Sequence, residues 1–302
     1  MDTTKPQGTD KTALLIINPV SGKKLVLRSV AQIIRSLMDA GYLVTTVVTS
    51  RRGEATEFAG RYGGSYNLVC CTGGDGTLNE TLTGLARAGH RTPLGYIPCG
   101  STNDFAASHG LALDIQEAVE NIASGRSRTY DIGRFGDHYF SYVAAFGAFS
   151  WLSYTTDQNL KNVLGHTAYI LDGIKDLPKI KPYHVSLTAD GKSYEGSYLF
   201  GAICNTTSVA GTIELPKTLV DTCDGKFEVL LVREPKNLAE FDQIVRGLLG
   251  QDYSSPLLEL FQAEDITVTS PVDMDWTLDG EYPGHYDTAR VTPIPGFLTL
   301  QG

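Results

Sequence analysis

The stretch Asn67–Gly89, NLVCCTGGDGTLNETLTGLARAG, constrains this chain's fold more than any other. Its apolar run Leu68-Val69-Cys70-Cys71 reads as a buried strand that stops at Gly73-Gly74-Asp75-Gly76. Thr77 then opens a helix, with Leu78, Leu82, Leu85 and Ala86 on one face. Glu80, three residues beyond Thr77, has the spacing of a capping box. Glycines between strand and helix let backbone N–H groups approach a ligand closely, and the free N–H groups of a first helical turn favour an anion, with phosphate the natural candidate. Asp75 is the odd residue, because a carboxylate beside a phosphate is repulsive unless a cation or a donor intervenes. It points to magnesium-linked nucleotide binding. The same pentapeptide also suits a tight turn with Asp75 as the turn former.

The surrounding pattern places this unit in a parallel sheet. Ala13–Ile17 and Tyr42–Val48 are predicted strands, followed by predicted helices over Leu25–Ala40 and Glu54–Tyr62. Pro93–Ile97 is a further short strand, after which Gly100–Asp104 leads into Phe105–Ser108, and Asp114–Ser124 is a predicted helix. Ligands of open α/β sheets bind beyond the carboxyl ends of the strands. Three polar or glycine-rich segments fall at such ends: Asn18–Gly22, Gly73–Thr77 and Gly100–Asp104.

Near residue 130 the pattern changes to antiparallel β. Tyr130–Arg134 and Tyr139–Val143 are predicted strands, and Tyr183–Thr188 and Tyr194–Ile203 flank a hairpin signal at Ala189-Asp190-Gly191-Lys192. Phe227–Val232, Ile266–Thr269 and Met274–Leu278 add strands, while Leu160–Leu177 and Leu238–Leu249 are predicted helices. The aromatic run Tyr142–Tyr154 and the apolar stripe of 160–177 read as core packing first, and otherwise as the wall of a cleft for an acyl chain. Lys161, Lys175, Lys179 and Lys181 read as a solvated face, diluted by Asp157, Asp172 and Asp176.

At 302 residues the chain has length for about two domains. Its formal charge of −9 argues against broad nucleic-acid binding. The five cysteines, Cys70, Cys71, Cys99, Cys204 and Cys223, form no Cys-x-x-Cys pair and read as reduced thiols in a cytoplasmic protein. The polar start MDTTKPQGTDKT reads as frayed, no apolar run reaches the length of a membrane span, and Asn205-Thr206-Thr207 is a chance sequon. The histidines are scattered without metal spacing, and there is no serine-hydrolase elbow.

Three further segments carry chemistry. Asn18-Pro19-Val20-Ser21-Gly22 follows the first strand and offers hydrogen-bonding groups with a glycine for close approach. Gly22-Lys23-Lys24 lacks the upstream glycine of a Walker A loop, and no dinucleotide-binding fingerprint occurs. Asp221-Thr222-Cys223-Asp224-Gly225 sets two carboxylates three apart beside a turn, a donor set for a hard cation or an acidic β-turn. Asp279-Gly280-Glu281 ends a strand and is either a hairpin turn or an acid that takes a proton from an attacking hydroxyl.

Taken together, these segments resemble the diacylglycerol kinase catalytic family, particularly the soluble bacterial lipid kinases. The matching landmarks are Asn18–Gly22, Gly73–Thr77 with Asn79-Glu80, Gly100-Ser101-Thr102-Asn103-Asp104-Phe105-Ala106, Asp224-Gly225, Asn237-Leu238-Ala239-Glu240 and Asp279-Gly280-Glu281. The resemblance implies an α/β domain over 1–130, phosphofructokinase-like with a parallel sheet. It implies an antiparallel β-sandwich over 131–290, with the active site between the two and residues 291–302 returning to the first. Asn18, Pro19, Val20, Ser21, Gly22, Thr49, Gly74, Asp75, Gly76, Thr77, Leu78, Asn79, Glu80 and Ser101 would line an ATP site. Asp221, Asp224 and the Lys226 carbonyl would hold a structural Mg²⁺ linked through a network to Asp75. Asp279 would be the general base, supported by Glu281, and Asp75 would be the third catalytic residue. The chain departs from the family pattern at Ser101, where threonine is usual, at Ala210-Gly211 for a Gly-Gly pair, and at Pro216-Lys217-Thr218 for Pro-x-Ala.

The implied activity is ATP-dependent phosphorylation of a lipid hydroxyl at a membrane surface, with diacylglycerol first and a sphingoid, ceramide or isoprenoid alcohol second. Membrane association would be peripheral and transient, and bacterial relatives are often homodimers. An NAD kinase fits the Asn-Pro-x-Ser-Gly and Asp-Gly-Glu segments less well. A non-catalytic nucleotide- or lipid-binding regulator would not need Asp75, Asp221, Asp224, Asp279 and Glu281 together.

Overall fold

The structure, a computed structural model, describes residues 11–21, 25–101, 103–147, 181–209 and 213–302. Its contacts divide the chain into two units, Met1–Tyr130 with Gly296–Gly302, and Asp131–Pro295.

The first unit alternates β1 (Lys11–Ile17), α1 (Leu25–Asp39), β2 (Tyr42–Val48), α2 (Glu54–Tyr62), β3 (Leu68–Gly73), α3 (Asp75–Ala88), β4 (Leu94–Pro98), α4 (Asp104–Ser108) and α5 (Ile115–Ala123). The strands pair parallel in the order β2-β1-β3-β4, and Leu300 and Gln301 add a parallel partner beside Leu94 and Gly95. β3 and β4 are buried along their whole length, as expected of parallel strands covered on both faces. Ala13, Leu15, Ile17, Leu68 and Cys70 pack with Val26, Ile33 and Leu37 of α1 and Val119 and Ile122 of α5. Residues one position out of phase face α2 and α3, and the Cys71 thiol is hydrogen-bonded to Thr81 of α3. Burial pushes the Cys70 and Cys71 thiols far up, so both are neutral packing groups.

Helices α2 and α3 approach closely through two glycines. A Cβ on Gly84 would crowd the Thr56 carbonyl oxygen and stand 2.9 Å from the Gly60 nitrogen, while one on Gly60 would meet the Gly84 oxygen at 3.2 Å. Gly84→Ala gains about 1 kcal/mol of helix propensity, but overpacking against a fixed backbone costs about 1–3 kcal/mol or more. A lower urea midpoint is expected; an unchanged or higher one would mean that the helices separate at no cost.

The second unit is antiparallel. Its elements are β5 (Ser127–Phe135), β6 (His138–Phe140), β7 (Val143–Gly147), β8 (Tyr183–Ala189), β9 (Lys192–Cys204), β10 (Ser208–Val209), β11 (Ile213–Glu214), β12 (Phe227–Arg233), α6 (Leu238–Gly250), β13 (Leu258–Ala263), β14 (Ile266–Leu278) and β15 (His285–Gln301), the first and last of which also reach into the first unit. β9 and β14 are long enough to serve two neighbourhoods each. β8 pairs with the early halves of both, and β7 pairs with the late halves of both, so the ladders form a closed ring β8–β9–β7–β14. Inside lies a core of Phe140, Phe146, Tyr198, Phe227 and Trp276, all 0–1% exposed.

The Asp190-Gly191 hairpin forms with φ of 48° and 80°, the left-handed pair that a two-residue turn requires. Asn237 caps α6 by accepting from the Glu240 N–H at 3.0 Å. Three expectations are corrected. The predicted strand Tyr139–Val143 is broken at Ser141-Tyr142, because the N–H groups there turn to a side-chain acceptor described below. Ile266–Thr269 and Met274–Leu278 are one strand interrupted by a bulge. β13 and β15 were not foreseen. The predicted helix over 160–177 lies outside the described residues. Phe146, from the aromatic run, packs on Trp276 with ring centroids 5.0 Å apart, a core role.

Candidate active site

Parallel register brings four strand ends to one edge of the first unit. Ile17 lies opposite Val48 and Thr72, and Gly73 lies opposite Pro98. The segments after these strands therefore emerge side by side, and the first turns of α3 tie them together. Asn18 Nδ2 donates to Thr77 Oγ1 at 2.9 Å. The Gly53 N–H donates to Glu80 Oε1 at 2.8 Å. The Asp104 and Phe105 N–H groups donate to Asp75 Oδ2 and Oδ1 at 2.9 and 3.1 Å. Thr49 is buried, and its N–H and hydroxyl both donate to the Ile17 carbonyl, at 2.8 and 3.3 Å.

The capping-box reading of Thr77 and Glu80 is corrected by this arrangement. α3 starts at Asp75 with Gly74 as its N-cap and no side-chain cap. Thr77 is already inside the helix, and Glu80 reaches to another loop. The first turn is instead served from within: the Thr77 and Leu78 N–H groups donate to the Gly74 carbonyl at 2.9 and 3.1 Å, and the Asp75 N–H is held by the Asp75 carboxylate. Gly74 and Gly100 explain why two motifs carry glycine: a Cβ on Gly100 would lie 2.6 Å from the Gly74 Cα. The two loops meet backbone to backbone.

Asp75 has its donors. Burial raises its carboxyl above the ordinary range, and the N–H groups of Phe105, Asp104, Asp75 itself and Asn103 offset only part of that rise. Its role here is to hold the start of α4 against the start of α3. Pro19 and Ser21 are half-buried, Val20 is 74% exposed, Gly76 and Asn79 are half-buried and Ser101 is exposed. Leu78 is 1% exposed and packs in the core, so only its backbone faces the loops, and its N–H is bonded to the Gly74 carbonyl. Gly22 and Thr102 lie outside the described residues.

In the second unit, Asp279 adopts φ of 50° and is 5% exposed. Its Oδ2 accepts from the Ser141 N–H at 2.6 Å and the Ser141 hydroxyl at 2.8 Å. Its Oδ1 accepts from the Tyr142 and Val143 N–H groups at 3.0 and 3.1 Å. Its own N–H donates to the Val143 carbonyl at 2.9 Å. These bonds stop β6 and restart the chain as β7. Glu281 is half-buried in the same turn, its backbone bridged to Leu278.

The 221–226 loop is held from behind. The Asp131 carboxylate accepts from the Gly225 N–H at 2.7 Å, its N–H donates to the Thr222 carbonyl at 2.8 Å, and its carbonyl accepts from Asn205 Nδ2 at 2.8 Å. Asp221 and Asp224 are exposed and each holds a backbone N–H, that of Cys223 at 3.0 Å and that of Lys226 at 2.9 Å. The two exposed carboxylates on a chain reversal are hard oxygen donors, and among the described residues no group of three or more His, Cys, Asp or Glu side chains gathers to hold a metal ion. Gln262 Nε2 reaches Asp224 Oδ2 at 3.4 Å and Glu228 Oε1 at 3.1 Å. Glu228 is fully buried, and its carboxyl is raised to about 7 by burial, with the Asp224 and Asp221 charges adding to the rise. Glu228 Oε2 and Asn205 Oδ1 have no hydrogen-bond partner among the described residues.

A family model described as the diacylglycerol kinase catalytic domain matches residues 12–135, and one described as the YegS C-terminal NAD kinase beta sandwich-like domain matches 150–302. The diacylglycerol kinase of Bacillus subtilis strain 168 is 34% identical over 278 residues, 91% of this chain and 91% of that protein. The chain belongs to the diacylglycerol kinase catalytic-domain family. A Staphylococcus saprophyticus diacylglycerol kinase is 35% identical over 96% of this chain and 93% of its own length. The fold is shared with crystal structures from Bacillus anthracis str. Sterne, one with a TM-score of 0.81 at 24% identity over 98% of each chain, and one titled a diacylglycerol kinase with a TM-score of 0.75 at 22% identity over 96% of each. As a member of this family the protein is a lipid kinase, and ATP is the phosphoryl donor such a kinase uses. Among the described residues no helix is long and apolar enough to cross a membrane.

Sequence reasoning passed over Ser141, Asp131, Asn205 and Glu228 as members of these diacylglycerol kinase motifs' surroundings. A signal existed for two of them. Asp131 and Glu228 each interrupt an apolar strand, and a carboxylate in such a place needs a partner. Ser141 carried no signal, because its partner is far along the chain.

Proposed function

We propose that this protein transfers the γ-phosphoryl group of ATP to the free hydroxyl of diacylglycerol, giving phosphatidic acid. The observation that carries this reading is the set of strand-end loops joined by Asn18, Asp75, Thr77 and Glu80 at the start of α3, where Gly74 and Gly100 meet backbone to backbone. In this proposal Asn18–Gly22, Thr49, Gly74–Glu80 and Ser101 bind the nucleotide phosphates. The positive end of the α3 dipole favours their charge, and the glycines at 74 and 100 allow the backbone to approach. Asp75 acts by keeping the loops in register.

Asp279 takes the proton of the lipid hydroxyl. The hydroxyl oxygen bonds to the γ-phosphorus, and the bond to the β–γ bridging oxygen breaks with its electron pair leaving on ADP. Most of the acceleration comes from positioning and charge neutralisation. Glu281 supports Asp279 from the same turn. Asp221, Asp224 and the Lys226 carbonyl would hold Mg²⁺, which supplies charge neutralisation to the acidic loop. A lipid substrate brings the enzyme to a membrane surface, and contact there is peripheral and transient.

The test is transfer of labelled γ-phosphate from ATP to detergent-dispersed diacylglycerol, monoacylglycerol, ceramide, sphingosine and undecaprenol, with NAD as a soluble control. Labelled phosphatidic acid is the expected product. Label in another lipid would keep the reaction and move the acceptor, and label in NAD would overturn the lipid reading.

A further inference from the structure

The Asp279 carboxylate is held in a way that assigns work to a residue outside the recognised motifs. A carboxylate offers about four lone-pair sites in its plane. Among the donors that meet it are the Ser141 N–H and hydroxyl on Oδ2 and the Tyr142 and Val143 N–H groups on Oδ1. Three of these are backbone groups. They are fixed by β7, whose Val143 pairs with Cys204, and by the Asn205 N–H, which donates to the Tyr142 carbonyl at 2.8 Å. The fourth is the Ser141 hydroxyl, which rotates about χ1. Ser141 is 4% exposed, so its hydroxyl is directed by protein groups rather than by bulk water.

We infer that Ser141 is a positioning residue for proton transfer, its hydroxyl being the exchangeable donor that stabilises the Asp279 carboxylate and then gives up its place to the acceptor hydroxyl. The inference rests on the reading of Asp279 as the base. In the resting state the bond favours the anion over the neutral acid. When the lipid hydroxyl arrives, the Ser141 O–H rotates off Oδ2 and the lipid O–H takes the vacated lone pair. The lipid proton then passes to Oδ2, its oxygen bonds to phosphorus, and ADP leaves with the electron pair of the broken bond. The protonated carboxyl can donate to Ser141 Oγ, which has turned its own proton away. The titratable groups on the segments meeting Asp279 are Glu281 in its own turn, Tyr142 in the facing stretch and Cys204 beside Val143. Cys204 stays neutral, its thiol pushed well up by burial and by Glu228.

The experiment compares Ser141→Ala and Ser141→Thr with the parent enzyme in the pH dependence of kcat/KM for diacylglycerol, with Asp279→Asn assayed alongside. Losing one hydrogen bond to a charged acceptor raises a carboxyl by roughly one to two pH units. The acid limb of Ser141→Ala should therefore move upward by about that amount, while Ser141→Thr, which keeps a hydroxyl, should hold the parent's limb. A purely structural role would lower the rate equally at every pH and leave the limb in place, and that result overturns the inference. So does a limb displaced equally in both variants. If Asp279→Asn stays active, the base assignment itself fails, which separates that failure from a failure at Ser141. Should Ser141→Ala prove unfolded by its thermal melt, Ser141→Cys, a weak donor of similar size, is the replacement, with a limb between those of the parent and the Ala prediction.

Discussion

Asp279→Asn is expected to lower kcat for lipid phosphorylation by a factor of about 10³, within the range a positioned general base supplies, while leaving ATP affinity unchanged. The variant is informative because asparagine tolerates the left-handed backbone that Asp279 adopts at φ of 50°. Its carbonyl oxygen can keep one pair of donors. Its amide group must then replace one oxygen, and it will settle where Oδ2 stood, because the Ser141 hydroxyl there can turn to accept, whereas the Tyr142 and Val143 N–H groups cannot. One backbone N–H is left poorly satisfied, a loss of about 1–3 kcal/mol that a thermal melt would register. Turnover measured with nucleotide binding separates the cases. A folded variant that no longer binds ATP, or one that still turns over at the parent rate, would remove Asp279 from the role of base.

Glu228→Gln should make the protein more stable at neutral and alkaline pH and leave it nearly unchanged near pH 4.5. Glu228 is fully buried with its carboxyl raised to about 7, burial being the largest cause. Between its ordinary range and that value the folded chain holds a proton that the unfolded chain has released. Unfolding free energy therefore falls as pH rises through this window, by about 1.4 kcal/mol per unit while the difference is complete. The total is on the order of 3 kcal/mol by pH 8. Glutamine removes the titration and keeps an acceptor for the Gln262 amide, which reaches Glu228 Oε1 at 3.1 Å. Urea unfolding of both proteins from pH 4.5 to 8 isolates this group, since all others titrate alike. Curves that stay parallel would show Glu228 ionised throughout.

What the sequence made legible follows the distance over which each feature is determined. The Asp190-Gly191 hairpin and the Asn237 cap depend on residues within a few positions of each other, and both were readable. The apolar runs of β3 and β4 were readable because burial on both faces leaves a composition that needs no partner to be recognised. Thr77 and Glu80 were recognised as significant but given local partners. Their actual partners, Asn18 and Gly53, belong to other strand ends that only the parallel register brings close. The break at Ser141-Tyr142 is the clearest case: those residues have strand propensity, and what bends them is a carboxylate at position 279. Residue types at the candidate site could thus be picked out from local motifs, whereas the hydrogen bonds among them belong to topology.

The pairing of Leu300 and Gln301 with Leu94 and Gly95 has a consequence for how the protein is made. On the ribosome, β4 is synthesised about two hundred residues ahead of its outer partner, so that edge stays unpaired until Leu300 and Gln301 have emerged. Such an edge is a template for pairing with other chains. The Gln301 side chain, donating to the Ile122 carbonyl at 2.7 Å, then fastens that end to α5. The first unit to be translated is therefore among the last to be completed, and its nascent form is the stage at which chaperone binding and misassembly would concentrate.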